Sequence, residues 1–121
     1  MKENVSLSLE LVVDTLVGFG LKQTDAQVYA FLAKKGPQRG KDLVNALKIT
    51  KQQLYPSLKN LQEKGIVNST LERPALFSAV PIEKVLDRFI KARIEEVERM
   101  IQNKEELLSS WQSLMRNDSR T

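Results

Sequence analysis

The 121-residue chain is 41% apolar and 28% charged, a globular balance, and no stretch nears the roughly 18 uninterrupted apolar residues of a membrane span. It has no cysteine and no histidine, which removes disulfides, thiolate metal sites, the commonest general base and the commonest metal ligand. The net charge of +4 is uneven: residues 1–81 hold eleven Lys/Arg against seven Asp/Glu, residues 82–121 eight of each, and residues 34–64 eight against two. These features argue against an enzyme and against a cofactor, and a basic segment beside a neutral one is the pattern of a nucleic-acid contact region. The opening residues lack a basic-then-apolar signal, so export is not expected and the cytoplasm is the expected compartment.

In chain order, Leu7, Leu11, Val12, Leu16 and Phe19 recur at helical spacing and predict a short amphipathic helix ending at Gly18 or Gly20. Thr24-Asp25-Ala26-Gln27 fits a capping box and predicts the start of a second helix, which Gly36-Pro37 stops. A third, shorter helix is expected over residues 40–47. After a tight connection, Thr50-Lys51-Gln52-Gln53 is another capping-box candidate. The helix it opens carries Leu54, Leu58 and Leu61 on one side and ends at Lys64-Gly65. Short helix, tight turn and second helix make a helix-turn-helix.

Residues 66–71 and 76–80 are strand-like runs around Glu72-Arg73-Pro74-Ala75, which predicts a hairpin, and a hairpin directly after a recognition helix is a wing. From Pro81 onward there is no glycine or proline, so a helix starting there can reach about Met115, roughly 50 Å at 1.5 Å per residue. Ile82, Val85, Leu86 and Phe89 suggest packing back onto the winged helix. Ile90, Ile94, Val97, Ile101, Lys104, Leu108, Trp111 and Met115 then alternate by four and three, the seam of a coiled coil, with Met100, Leu107 and Leu114 widening it. The fold class is therefore mainly α with a small β-hairpin. Its expected parts are a winged helix-turn-helix over 1–81, a long dimerisation helix over 82–116 and a frayed tail over 117–121.

With the leucines inward, a helical wheel puts Gln52, Pro56, Lys59 and Glu63 outward. Amides can pair with adenine, and lysine with guanine or phosphate. The base-contact candidates are Lys51, Gln52, Gln53, Pro56, Ser57 and Asn60. Arg39, Lys41, Lys59, Lys64 and Arg73 are expected to meet phosphate or to act from the wing. The dimerisation set is Ile90, Ile94, Val97, Ile101, Leu108, Trp111 and Met115. Pro56 lies inside the recognition helix and is expected to kink it or make it restart. Paired acids such as Glu95-Glu96 and Glu105-Glu106 read as a solvated coil flank rather than as catalytic groups.

Gly20-Leu21-Lys22-Gln23-Thr24-Asp25-Ala26-Gln27-Val28-Tyr29 resembles the opening block of TrmB-like archaeal transcriptional regulators. Lys35-Gly36-Pro37, Leu54-Tyr55, the run from Leu58 through Asn60, Lys64 and Gly65 to Val67, and Phe77-Ser78-Ala79-Val80-Pro81 continue it in order, over about residues 19–115. The resemblance implies a homodimer that binds promoter double-stranded DNA sequence-specifically, in an archaeal cytoplasm, with Lys51, Gln52, Gln53 and Ser57 where the family reads DNA. Two departures stand: Pro56 replaces a helix former, and no sugar-binding region follows the coil, so no sugar effector is carried over. The competing expectation is a winged helix that contacts protein within a transcription complex.

Overall fold

The computed structural model describes residues 2–119, with side-chain burial for 9–117. Its elements are α1 (Lys2–Gly18), α2 (Gln23–Lys35), β1 (Gln38–Arg39), α3 (Gly40–Leu47), α4 (Lys51–Glu63), β2 (Val67–Ser69), β3 (Leu76–Ala79) and α5 (Ile82–Ser119). This is a winged helix-turn-helix followed by a long helix. It divides into two units, Met1–Val85 and Leu86–Thr121. The division falls one helical turn beyond the expected 81/82 boundary, because Val85 is completely buried.

In α1 the inward stripe is Leu9, Val12, Val13 and Leu16, the i, i+3, i+4, i+7 pattern of one helix face. Leu11 falls on the other side and is 67% exposed, which corrects its placement on the apolar face. The expectation for Leu7 lies outside the residues whose side chains are described. Helix α2 also begins differently from the Thr24 reading. Its N-cap is Lys22, in extended backbone and with no side-chain cap. Lys22 is positioned one turn before Ala26, whose N–H donates to the Lys22 carbonyl at 2.9 Å. Gly36 ends the helix at φ 88°, in the left-handed region that glycine enters without a Cβ penalty, and its N–H donates to the Leu32 carbonyl at 2.9 Å.

The two-strand wing gains a third member. Strand β1 pairs antiparallel with β3 (Gln38 opposite Phe77, Arg39 opposite Leu76), and β2 pairs with the other edge of β3, giving the order β1-β3-β2. The core of this unit joins Leu16 of α1, Val28, Tyr29 and Leu32 of α2, Leu43 of α3, the leucines of α4, and Ile66 and Val85. The Tyr29 hydroxyl donates to the Val80 carbonyl at 2.5 Å, tying the middle of α2 to the end of the hairpin.

Helix α5 has 38 residues, about 57 Å at 1.5 Å per residue. Residues 117–119 continue it. The cause is local, since no glycine or proline interrupts the segment. Residues 120–121 lie outside the described ones. From Ile90 to residue 117 every side chain is exposed. No described helix is long and apolar enough to cross a membrane.

Candidate nucleic-acid interface

The turn between α3 and α4 is three residues long, Lys48, Ile49 and Thr50, and Lys48 takes the left-handed conformation at φ 55° to make it. Thr50 then caps α4 in both directions. Its Oγ1 accepts from the Gln53 N–H at 3.1 Å, and its own N–H donates to the Gln53 Oε1 at 2.9 Å. A cap of this kind stabilises a helix by about 1 kcal/mol. At the other end, the Gly65 N–H donates to the Gln62 carbonyl at 2.9 Å and the Ile66 N–H to the Leu61 carbonyl at 3.1 Å. With Gly65 at φ 74°, these bonds form a Schellman close. Both ends of the recognition helix are thus held by the backbone groups that need partners most.

Between these ends α4 runs through Pro56 as one continuous helix, so the expected restart does not occur. Proline lacks the N–H that would meet the Gln52 carbonyl. Pro56 and Gln52 share the exposed side of α4, where water can satisfy that carbonyl instead.

The outward face holds Lys51, Gln52, Gln53, Tyr55, Pro56, Lys59, Glu63 and Lys64, all exposed. Ser57 is not among them. It is only 4% exposed and its hydroxyl donates to Asp25 Oδ1 at 2.5 Å, so its assignment as a base contact is corrected. The stripe that buries Leu54, Leu58 and Leu61 also takes in position 57 by its 3.6-residue period. Asn60 is half-buried, with its Nδ2 donating to Asp25 Oδ2 at 2.6 Å. Asp25 itself is 3% exposed. Two polar groups of α4 are therefore spent on α2, fixing the rotation of the recognition helix about its own axis.

The wing stands beside this face. The Thr70 N–H donates to the Leu76 carbonyl at 3.0 Å, and the Leu76 N–H to Thr70 Oγ1 at 2.9 Å, closing the loop of residues 71–75. Arg39, expected at phosphate, is half-buried, and its guanidinium donates to the Pro74 carbonyl at 2.5 Å, holding the loop to β1. Lys41 and Arg73 are exposed and, with Arg39, Lys51 and Tyr55, line a groove between the wing and the start of α4.

Three residues that sequence reasoning did not select belong to this surface. Tyr55 is 49% exposed in the groove. Its hydroxyl lies against Gly40, where a Cβ would come within 2.5 Å of it. Leu71 is fully exposed in the wing loop. Lys22, at the start of α2, borders the same depression as Gln52, Gln53 and Pro56. Only contact between distant segments brings Lys22 there, although its place before a helix start was a usable signal.

On α5 the seven expected dimerisation residues, from Ile90 to Met115, are each between 46% and 56% exposed.

Residues 16–83 match the family model described as sugar-specific transcriptional regulator TrmB. The match ends in the first turn of α5, short of the seam. The HTH-type sugar sensing transcriptional regulator TrmBL1 of Pyrococcus furiosus is 30% identical over 91 residues, which is 75% of this chain and 27% of that protein. The chain thus spans about a quarter of the curated relative it matches. Among solved structures, the archaeal chromatin protein TrmBL2 superposes with a TM-score of 0.81 at 23% identity, over 89% of this chain and 42% of that one. The transcriptional regulator Tm0710 from Thermotoga maritima gives 0.55 at 18%, over 98% and 91%. At these identities the structural likeness establishes the fold.

Proposed function

This chain belongs to the TrmB family of transcriptional regulators, and from that membership we propose that it binds double-stranded DNA sequence-specifically as a homodimer. The observation that carries the reading is the outward face of α4. It presents Lys51, Gln52, Gln53, Lys59 and Lys64 beside an exposed wing, with Glu63 at its far end. A helix of this width fits the major groove of B-DNA, where amide and ammonium groups meet base edges. The first turn penetrates deepest, so Lys51, Gln52 and Gln53 read bases, with Pro56 against a base edge or methyl group, while Asn60 stays on Asp25. Lys41, Lys59, Lys64 and the wing's Arg73 meet phosphate and set the register, with Arg39 positioning the wing that carries Arg73.

The dimer forms through α5, whose exposed apolar seam a second copy covers. Two readers on one two-fold axis call for an operator with inverted half-sites. The test is a selection of bound fragments from random or genomic DNA at about 150 mM salt, where weak phosphate-driven binding is suppressed. The expected result is an inverted-repeat motif, lost in the Gln52→Ala variant. A folded protein that enriches no motif overturns the reading and points to a protein partner.

A further inference from the structure

The α5 seam is divided by side-chain shape. Its first four positions, Ile90, Ile94, Val97 and Ile101, are all β-branched, and its last four, Lys104, Leu108, Trp111 and Met115, are all unbranched at Cβ. The division has opposite consequences for the two ways of pairing the helix with a copy of itself.

In a parallel pair each seam residue meets its own copy. The first half of the coil would be narrow, and the second would stack Trp111 on Trp111 and set the Lys104 ammonium groups of the two chains against each other. In an antiparallel pair with the seams fully overlapped, Ile90 meets the partner's Met115 and Ile94 the partner's Trp111. Val97 then meets the partner's Leu108, and Ile101 the partner's Lys104. Every layer combines one β-branched and one longer side chain, so the volume is even along the coil, as close packing requires. Each Lys104 faces an isoleucine, and its own copy lies in the next layer, about 4.5 Å along the axis.

The flanks agree. Met100 and Leu107 lie beside the seam and are 60% and 68% exposed. Reversal brings Met100 against the partner's Leu107, covering apolar surface that a parallel pair leaves beside Glu105 and Gln112. It also brings Glu98 towards the partner's Glu105, a like-charge contact between exposed side chains that costs little beside the apolar cover. We infer that α5 pairs with a second copy of itself in antiparallel orientation, centred between Ile101 and Lys104. This rests on the homodimer reading and adds its direction.

The absence of cysteine makes the test clean, since a single introduced thiol is the only one in the chain. Ala92 and Ser113 are exposed and face away from the seam. A spin label on Ala92→Cys is read by pulsed dipolar spectroscopy, with sedimentation reporting the oligomeric state. In an antiparallel dimer the two labels are offset by about 32 Å along the coil, giving a separation of roughly 35–40 Å. In a parallel dimer they lie at one height, roughly 20 Å apart across two helices. Mixing labelled Ala92→Cys with labelled Ser113→Cys reverses the expectation, and the new population then shows the short distance. A dimer with the short distance in Ala92→Cys alone overturns the orientation and leaves the dimer standing. A monomer overturns both.

Discussion

Asp25 occupies the first turn of α2, where a carboxylate ordinarily meets the free backbone N–H groups of the helix start. Here it is buried and turned towards α4, accepting from Ser57 and Asn60. Removing one donor leaves a carboxylate oxygen with no replacement inside the fold. Ser57→Ala is therefore expected to lower stability by about 1.5–3 kcal/mol in denaturant titration. An alanine at exposed Lys59 should change it by less than about 0.5 kcal/mol. A buried-core role predicts this contrast, and equal small effects would refute it. Tyr29 makes a second prediction. Burial pushes its phenol from 10.0 up to about 12. The folded protein thus holds that proton over a range where the unfolded chain has released it. The stabilising contribution is complete below about pH 10 and falls as pH rises towards about 12. Tyr29→Phe should lower stability at neutral pH by about 1–2 kcal/mol, because the buried Val80 carbonyl loses its donor, and should flatten the decline between pH 10 and 12.

The elements differ in how plainly they were written. Helix α4 was legible at both ends, since Thr50 with Gln53 and Lys64 with Gly65 are local signals that act over a few residues. Strand β1 was not: two residues carry no periodicity, and it exists only because β3 offers it an edge. Thr24 misled for a similar reason. Its spacing to Gln27 suits a cap, but the packing that draws Asp25 inward starts the helix at Gln23 with Lys22 as its N-cap. Ser57 is readable on the wheel, since it lies within the stripe of Leu54, Leu58 and Leu61. Two predictions belong at this scale. Pro56→Ala restores a donor to the Gln52 carbonyl and is expected to raise stability by up to about 3 kcal/mol, read from the unfolding midpoint. Arg39→Ala releases the wing loop from β1. The amides of Thr70 and Leu76 should then exchange several-fold faster, while global stability changes by less than about 1 kcal/mol.

For the whole molecule, the proposed phosphate contacts of Lys41, Lys59 and Lys64 imply a salt dependence that can be taken apart. Each phosphate-contacting lysine removed should reduce the slope of log affinity against log salt by about one, uniformly across sequences. Substitution at a base-reading position should instead relax preference at one base pair. The α5 seam adds a practical consequence, because it contains the chain's single tryptophan. Trp111 is 56% exposed in the isolated chain, whereas Tyr29 and Tyr55, the only tyrosines, lie in the winged-helix unit. The two chromophores therefore report on different events. Dilution that separates the helices should shift the indole emission to longer wavelength while the tyrosine signal of the folded unit holds steady. Trp111 thus gives the proposed association an optical gauge that needs no label.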